Sequence, residues 1–140
     1  MLESKLNKLL ANYAVEYHKL QTLHWYVKDH AFFQTHAKLE DYYNEAYEAV
    51  DEIAEKLRMI GGKPLANMDE FKANATISEA KGEFVTQKQA FATAKADFEQ
   101  LLADVKDIKH DADEEDNYAF ADDLIETLSK DIWMLGQSED

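Results

Sequence analysis

Apolar residues recur along this chain in steps of three and four, the signature of helices that each bury one face. The first run goes from Leu2 to about Lys28, with Leu6, Leu9, Tyr13, Tyr17, Leu20, His24 and Val27 on its apolar side. The stretch DHAFF turns the chain. A second run, from about Phe32 to Ile60, carries Leu39, Tyr42, Tyr43, Ala46, Val50, Ile53 and Leu57, and stops at Gly61 and Gly62 with Pro64 just beyond. Residues Pro64 to Gly82 are mixed, with room for a turn or two of helix in MDEFKANA. A third run, from about Glu83 to Lys109, places Phe84, Phe91, Ala94, Phe98, Leu101, Val105 and Ile108 on one stripe. The acidic stretch DADEED separates it from a fourth, with Ala121, Leu124, Ile125, Leu128, Ile132 and Leu135, closed by Gly136. The expectation is an all-α four-helix bundle with short links after the first and third helices, a longer crossover between second and third, and a short extra helix in that crossover. Single-crossover bundles of this kind are ferritin-like.

Composition agrees. Four Gly and one Pro leave few helix breakers, and 140 residues fit one domain, 1–140, large enough for a continuous core. With no cysteine, disulfides and thiolate chemistry are excluded, and a reducing compartment, the cytoplasm, is the expected location. No signal peptide or membrane span is legible. The formal charge of −14 argues against attraction to nucleic acid or anionic lipid and favours cations.

The second helix carries two ligand-type pairs, His36 with Glu40 and Asp51 with Glu55, each at i and i+4. At ~100° per residue the four side chains share an arc of roughly 100°, yet His36 and Asp51 stand ~22 Å apart along the axis. One helix cannot close both pairs on one ion. Two copies crossing antiparallel about a two-fold axis near Glu45 and Ala46 can, and the site then occurs twice. His24, on the inward face of the first helix, is positioned to add a second imidazole. Two imidazoles with three carboxylates suit iron(II), with zinc or manganese as alternative occupants. The plainer alternatives are that His24 is a hydrogen-bonded core residue and that Asp51 and Glu55 are solvated carboxylates ion-paired with neighbours such as Lys56.

The run LHWYVKDHAFFQTHAKLEDYYNEAYEAVDEIAEKLRMIGGKP, about a third of the chain, is similar to the signature of the Dps family of mini-ferritins, the DNA-binding proteins from starved cells. MDEFKANATISEA and DIWML extend the likeness over nearly the whole chain. The resemblance implies a dodecameric hollow shell built from two-fold dimers. It also implies di-iron ferroxidase sites between subunits, hydrogen peroxide or oxygen as oxidant, and a stored ferric mineral that limits oxidative damage. Carried over by motif, the metal ligands are His24 of LHW, His36 of QTHAK, and Asp51 and Glu55 of VDEIAE. Glu40 stands where aspartate is usual and is one methylene longer. Trp25 matches a tryptophan near the iron site that could supply an electron; core packing is the alternative. The acidic link appears about three residues shorter than in relatives, and Asp113, Glu114, Glu115, Asp116, Asp122 and Asp123 are candidates for the pore through which iron passes. Direct DNA binding is not expected, because no basic tail is present and the chain ends on Glu139 and Asp140. Three functions remain in contention: iron oxidation and storage, DNA compaction, and a helical assembly with a structural or inactive metal site.

Overall fold

The computed structural model describes residues 2–112 and 118–139. Five helices follow in order: α1 (Leu2–Tyr26), α2 (Phe32–Met59), α3 (Met68–Asn74), α4 (Gln87–Asp111) and α5 (Tyr118–Gln137). The four long ones form the expected bundle and α3 is the short helix of the crossover. The core is continuous through it, from Leu6, Leu9 and Leu20 on α1 through Leu39, Ile53 and Leu57 on α2 to Leu101, Val105 and Leu128.

α1 and α2 are an antiparallel hairpin. α2 stops at a Schellman turn: Gly61, with φ of 81°, donates its N–H to Arg58 O, and Gly62 donates to Leu57 O. Glu3, at the start of α1, accepts the Lys63 N–H at 2.9 Å, which fastens that end of the hairpin. At the other end Asp29 accepts the N–H groups of Ala31 and Gln87, and these two bonds hold its carboxyl below the usual range. Asp29 therefore joins the α1–α2 turn to the start of α4.

A polar seam sets the register of α1 against α4. Lys5 pairs with Asp111 at 2.6 Å, Asn12 donates to Asp104 at 3.1 Å, and Lys19 pairs with Asp97 at 2.9 Å. Each step is seven residues forward on α1 and seven back on α4, so the two helices run antiparallel and a slip by one turn would break all three contacts. Asn12 also holds the crossover: its Oδ1 accepts from the N–H groups of Thr76 and Ile77.

Two expectations need correction. α1 ends at Tyr26, and Val27 leaves the helix to form a bridge with Val85, through Lys28 N–H to Val85 O and Val85 N–H to Tyr26 O. α4 begins at Gln87, not near Glu83, so Phe84 is off the apolar stripe; it lies 70% exposed against Tyr26. The reason is local. Thr86 and Gln89 form a capping box, each side chain satisfying the other's backbone N–H, and that starts the helix.

Candidate metal centre

The α1–α2 hairpin brings His24 and His36 face to face, with ring centroids 3.5 Å apart and planes 14° from parallel. Their backbones lock them reciprocally: His24 Nδ1 lies 2.6 Å from the His36 carbonyl oxygen and His36 Nδ1 lies 2.8 Å from the His24 carbonyl oxygen. A carbonyl can only accept, so both Nδ1 atoms carry the proton. In the neutral rings both Nε2 lone pairs are then left for a metal. Near-parallel rings do not converge on one point between them, which favours two ion positions over one.

Around the pair, Glu40 Oε1 stands 3.9 Å from His24 Nε2. Tyr43 meets the His24 ring edge-on at 5.2 Å, and Phe32 stacks on His36 at 4.7 Å. Desolvation first, and then the Glu40 charge, raise the Tyr43 hydroxyl, which therefore stays protonated beside the imidazoles. Tyr43 was visible in the sequence only as a member of an apolar face and Phe32 only as the start of the second run; nothing in their spacing marked them as neighbours of the histidines.

Asp51 and Glu55 lie elsewhere. Both are exposed on α2, toward its far end, and neither has an ion-pair partner among the described residues. Lys56, expected beside them as a counter-ion, is instead buried. Among the described residues no three His, Asp or Glu side chains of one chain gather tightly enough to hold an ion. The structure thus brings together His24, His36 and Glu40 and leaves Asp51 and Glu55 at the other end of the same helix. Trp25 is not core either: it is 55% exposed and touches His18 edge-on.

A second acidic feature runs between α2 and α5. A groove of about 230 Å³ is lined by Glu45, Glu48, Glu52 and Asp123, among others. Burial first, and then Asp123 and neighbouring carboxylates, raise Glu52. Of the pore candidates, Asp123 therefore faces this groove, Asp122 is held by Lys109, and 113–116 lie outside the described residues. Among the described residues no helix is long and apolar enough to cross a membrane.

Comparison with known proteins agrees with this architecture. The model of the ferritin-like domain matches residues 3–138. DNA protection during starvation protein 2 of Bacillus anthracis is 37% identical over 93% of this chain and 90% of its own length. The crystal structure of a Dps protein from Bacillus brevis superposes with a TM-score of 0.89 at 35% identity, covering 97% of this chain and 93% of that one. A Dps protein from Vibrio cholerae O1, described as a member of the ferritin-like diiron-carboxylate superfamily, gives a TM-score of 0.92 at 29% identity, with 97% and 87% covered. By its helices and by these matches over nearly its full length, the chain belongs to the ferritin-like family and, within it, to the Dps proteins.

Proposed function

We propose that this chain is the subunit of an iron-oxidising and iron-storing mini-ferritin. Fe(II) is the substrate and hydrogen peroxide the oxidant; two Fe(II) supply the two electrons that reduce one peroxide to water. The observation that carries this reading is the locked histidine pair, whose Nδ1 protons are committed to backbone carbonyls, with Glu40 beside Nε2 of His24. Such outer hydrogen bonds fix tautomer and ring orientation before a metal arrives.

His24, His36 and Glu40 form one half of a site. Asp51 and Glu55 of the partner subunit form the other half, delivered by antiparallel pairing of two α2 helices about an axis near Glu45. The added carboxylates favour the trivalent product over the divalent substrate, because each contributes negative charge beside the ion. Glu40 reaches one methylene further than aspartate and sets how close the two iron positions lie. Trp25 is accessible and is the candidate donor of an extra electron where only one position is filled. Two-fold dimers assemble into a hollow dodecamer from a single domain, 1–140, in the cytoplasm. The acidic α2–α5 groove offers carboxylates on which ferric mineral can start. Direct DNA binding is not part of the function, since 29 acidic residues against 15 basic ones repel phosphate.

Iron-loaded crystals test this directly: metal is expected between His24, His36 and Glu40 of one subunit and Asp51 and Glu55 of another. His36→Ala and Asp51→Ala should each reduce Fe(II) oxidation to the rate of buffer while assembly is retained. Oxidation at the wild-type rate in both variants would overturn the assignment.

A further inference from the structure

Glu16, Lys19 and Asp97 form a charged cluster that the metal centre does not use. Glu16 and Lys19 are one turn apart on α1, and Asp97 faces them from α4. Glu16 is 0% exposed, and Lys19 Nζ lies 2.9 Å from Asp97 Oδ2. On the core side the neighbours are apolar, since Leu20 is fully buried on α1, as are Ala94 and Leu101, three residues before and four after Asp97; on the other side Lys19 lines cavities that also hold Thr22 and Glu79. As a carboxylate, Glu16 would leave both oxygens without a hydrogen-bond partner. Burial above all, then the Asp97 charge and a hydrogen bond to Asp97, raise Glu16 well above the usual carboxyl range, with Lys19 opposing. Glu16 is therefore a carboxylic acid whose O–H is directed at Asp97.

An amine, a carboxyl group and a neutral acid brought together at the edge of the core are the components of amide formation. We propose that Lys19 and Asp97 become joined by an intramolecular isopeptide bond, with Glu16 as the proton-transferring catalytic residue. In water the ion pair is favoured over the amide. Here three conditions change that balance. The reactants are held together by two packed helices, and fixed geometry of this kind reaches effective molarities on the order of 10⁵–10⁸ M. Partial burial weakens the hydration that otherwise favours the ion pair. Glu16 supplies an acid where the departing oxygen needs one.

The step balances. A proton passes from the Lys19 ammonium to Asp97, giving a neutral amine and a neutral acid. The Nζ lone pair attacks Cγ of Asp97 and the Nζ–Cγ bond forms. Glu16 gives its proton to the departing hydroxyl, the Cγ–O bond breaks, and water leaves. Glu16 then recovers a proton from Nζ. Lysine and aspartate become an amide and one water, with no oxidant and no net charge change. Lys19 also lines two cavities under the crossover, of about 100 and 260 Å³, through which the water can depart.

The test is intact mass of the denatured, purified chain after ageing at neutral pH. The wild-type chain should be lighter by one water. Tryptic digestion should yield one branched peptide joining residues 9–28, uncut after Lys19, to residues 96–106. Glu16→Gln, neutral and nearly isosteric, should keep full mass, and Lys19→Arg, which preserves the ion pair, should do the same. A wild-type chain that stays at full mass overturns the proposal. So does a water loss confined to an unbranched peptide, which marks a cyclised aspartate instead. An unchanged branched peptide in Glu16→Gln would remove Glu16 from the chemistry.

Discussion

A site divided between two chains makes a prediction that an intrachain site cannot. Take two inactive variants, His36→Ala and Asp51→Ala, and let them assemble together. Within one chain the altered positions are ~22 Å apart along α2, so each variant damages a different half of the site. In a mixed dimer the two-fold axis places both lesions in the same site, and the other site receives an intact His24–His36–Glu40 end from one chain and an intact Asp51–Glu55 end from the other. Equal amounts pairing at random give mixed dimers about half the time, each with one good site of two, so about one site in four is restored. The assay is the initial rate of ferric absorbance after Fe(II) and peroxide are added to shells refolded from a mixture, with two affinity tags to confirm mixing. About a quarter of the wild-type rate is expected, against buffer rates for either parent alone. If tag-verified mixed shells oxidise no faster than their parents, the two halves do not belong to one site.

Three further outcomes follow from the packing. Burial first, and then its hydrogen bond to and the charge of Asp131, push the Glu45 carboxyl up to about 9. A carboxyl raised on folding contributes fully below its unfolded value of 4.5 and loses that contribution as pH climbs to about 9. Stability should therefore fall by about 3 kcal/mol between pH 4.5 and 7, and urea titrations of Glu45→Gln should show that slope removed. Asn12→Ala strands the Thr76 and Ile77 N–H groups and should cost about 3 kcal/mol, seen as a lower urea midpoint at unchanged slope. Shells of chains carrying −14 each should loosen at very low salt and tighten with screening ions; scattering that is indifferent to ionic strength would count against that.

How far the sequence could be read depended on how each helix is surrounded. α2 has one face inward, so its apolar steps mark the core faithfully: Leu39, Ile53 and Leu57 are fully buried. α1 contacts α2, α3 and α4, so residues that pattern reading assigns to solvent are inside. Asn12, Glu16 and Lys19 are all buried, spaced at helical steps of four and three like the apolar residues around them. Their partners Asp97 and Asp104 sit seven apart on α4. Only the pairing of the two helices shows that these form a seam, because a polar residue's neighbour across a bundle leaves no mark on its own strand of sequence. Phe84 is the opposite case. It is in phase with the stripe that follows, but phase does not start a helix, and Thr86 with Gln89 three residues on was the signal that did.

The proposed ligand stripe shares its face of α2 with exposed apolar residues. Phe33 and Tyr47 fall within the same arc of roughly 100° on α2 as His36, Glu40, Asp51 and Glu55. Both are large and apolar, yet they are 82% and 62% exposed. Met59, at the end of the helix, is exposed as well. A solvent face does not ordinarily gather such side chains, whereas a face that meets a second copy does. Tyr47 lies next to the two-fold axis proposed near Glu45. The ligands ask for a partner helix at that place and the apolar residues ask for a covered surface there. The proposed antiparallel dimer would answer both, and the two requirements come from different residues by different physics.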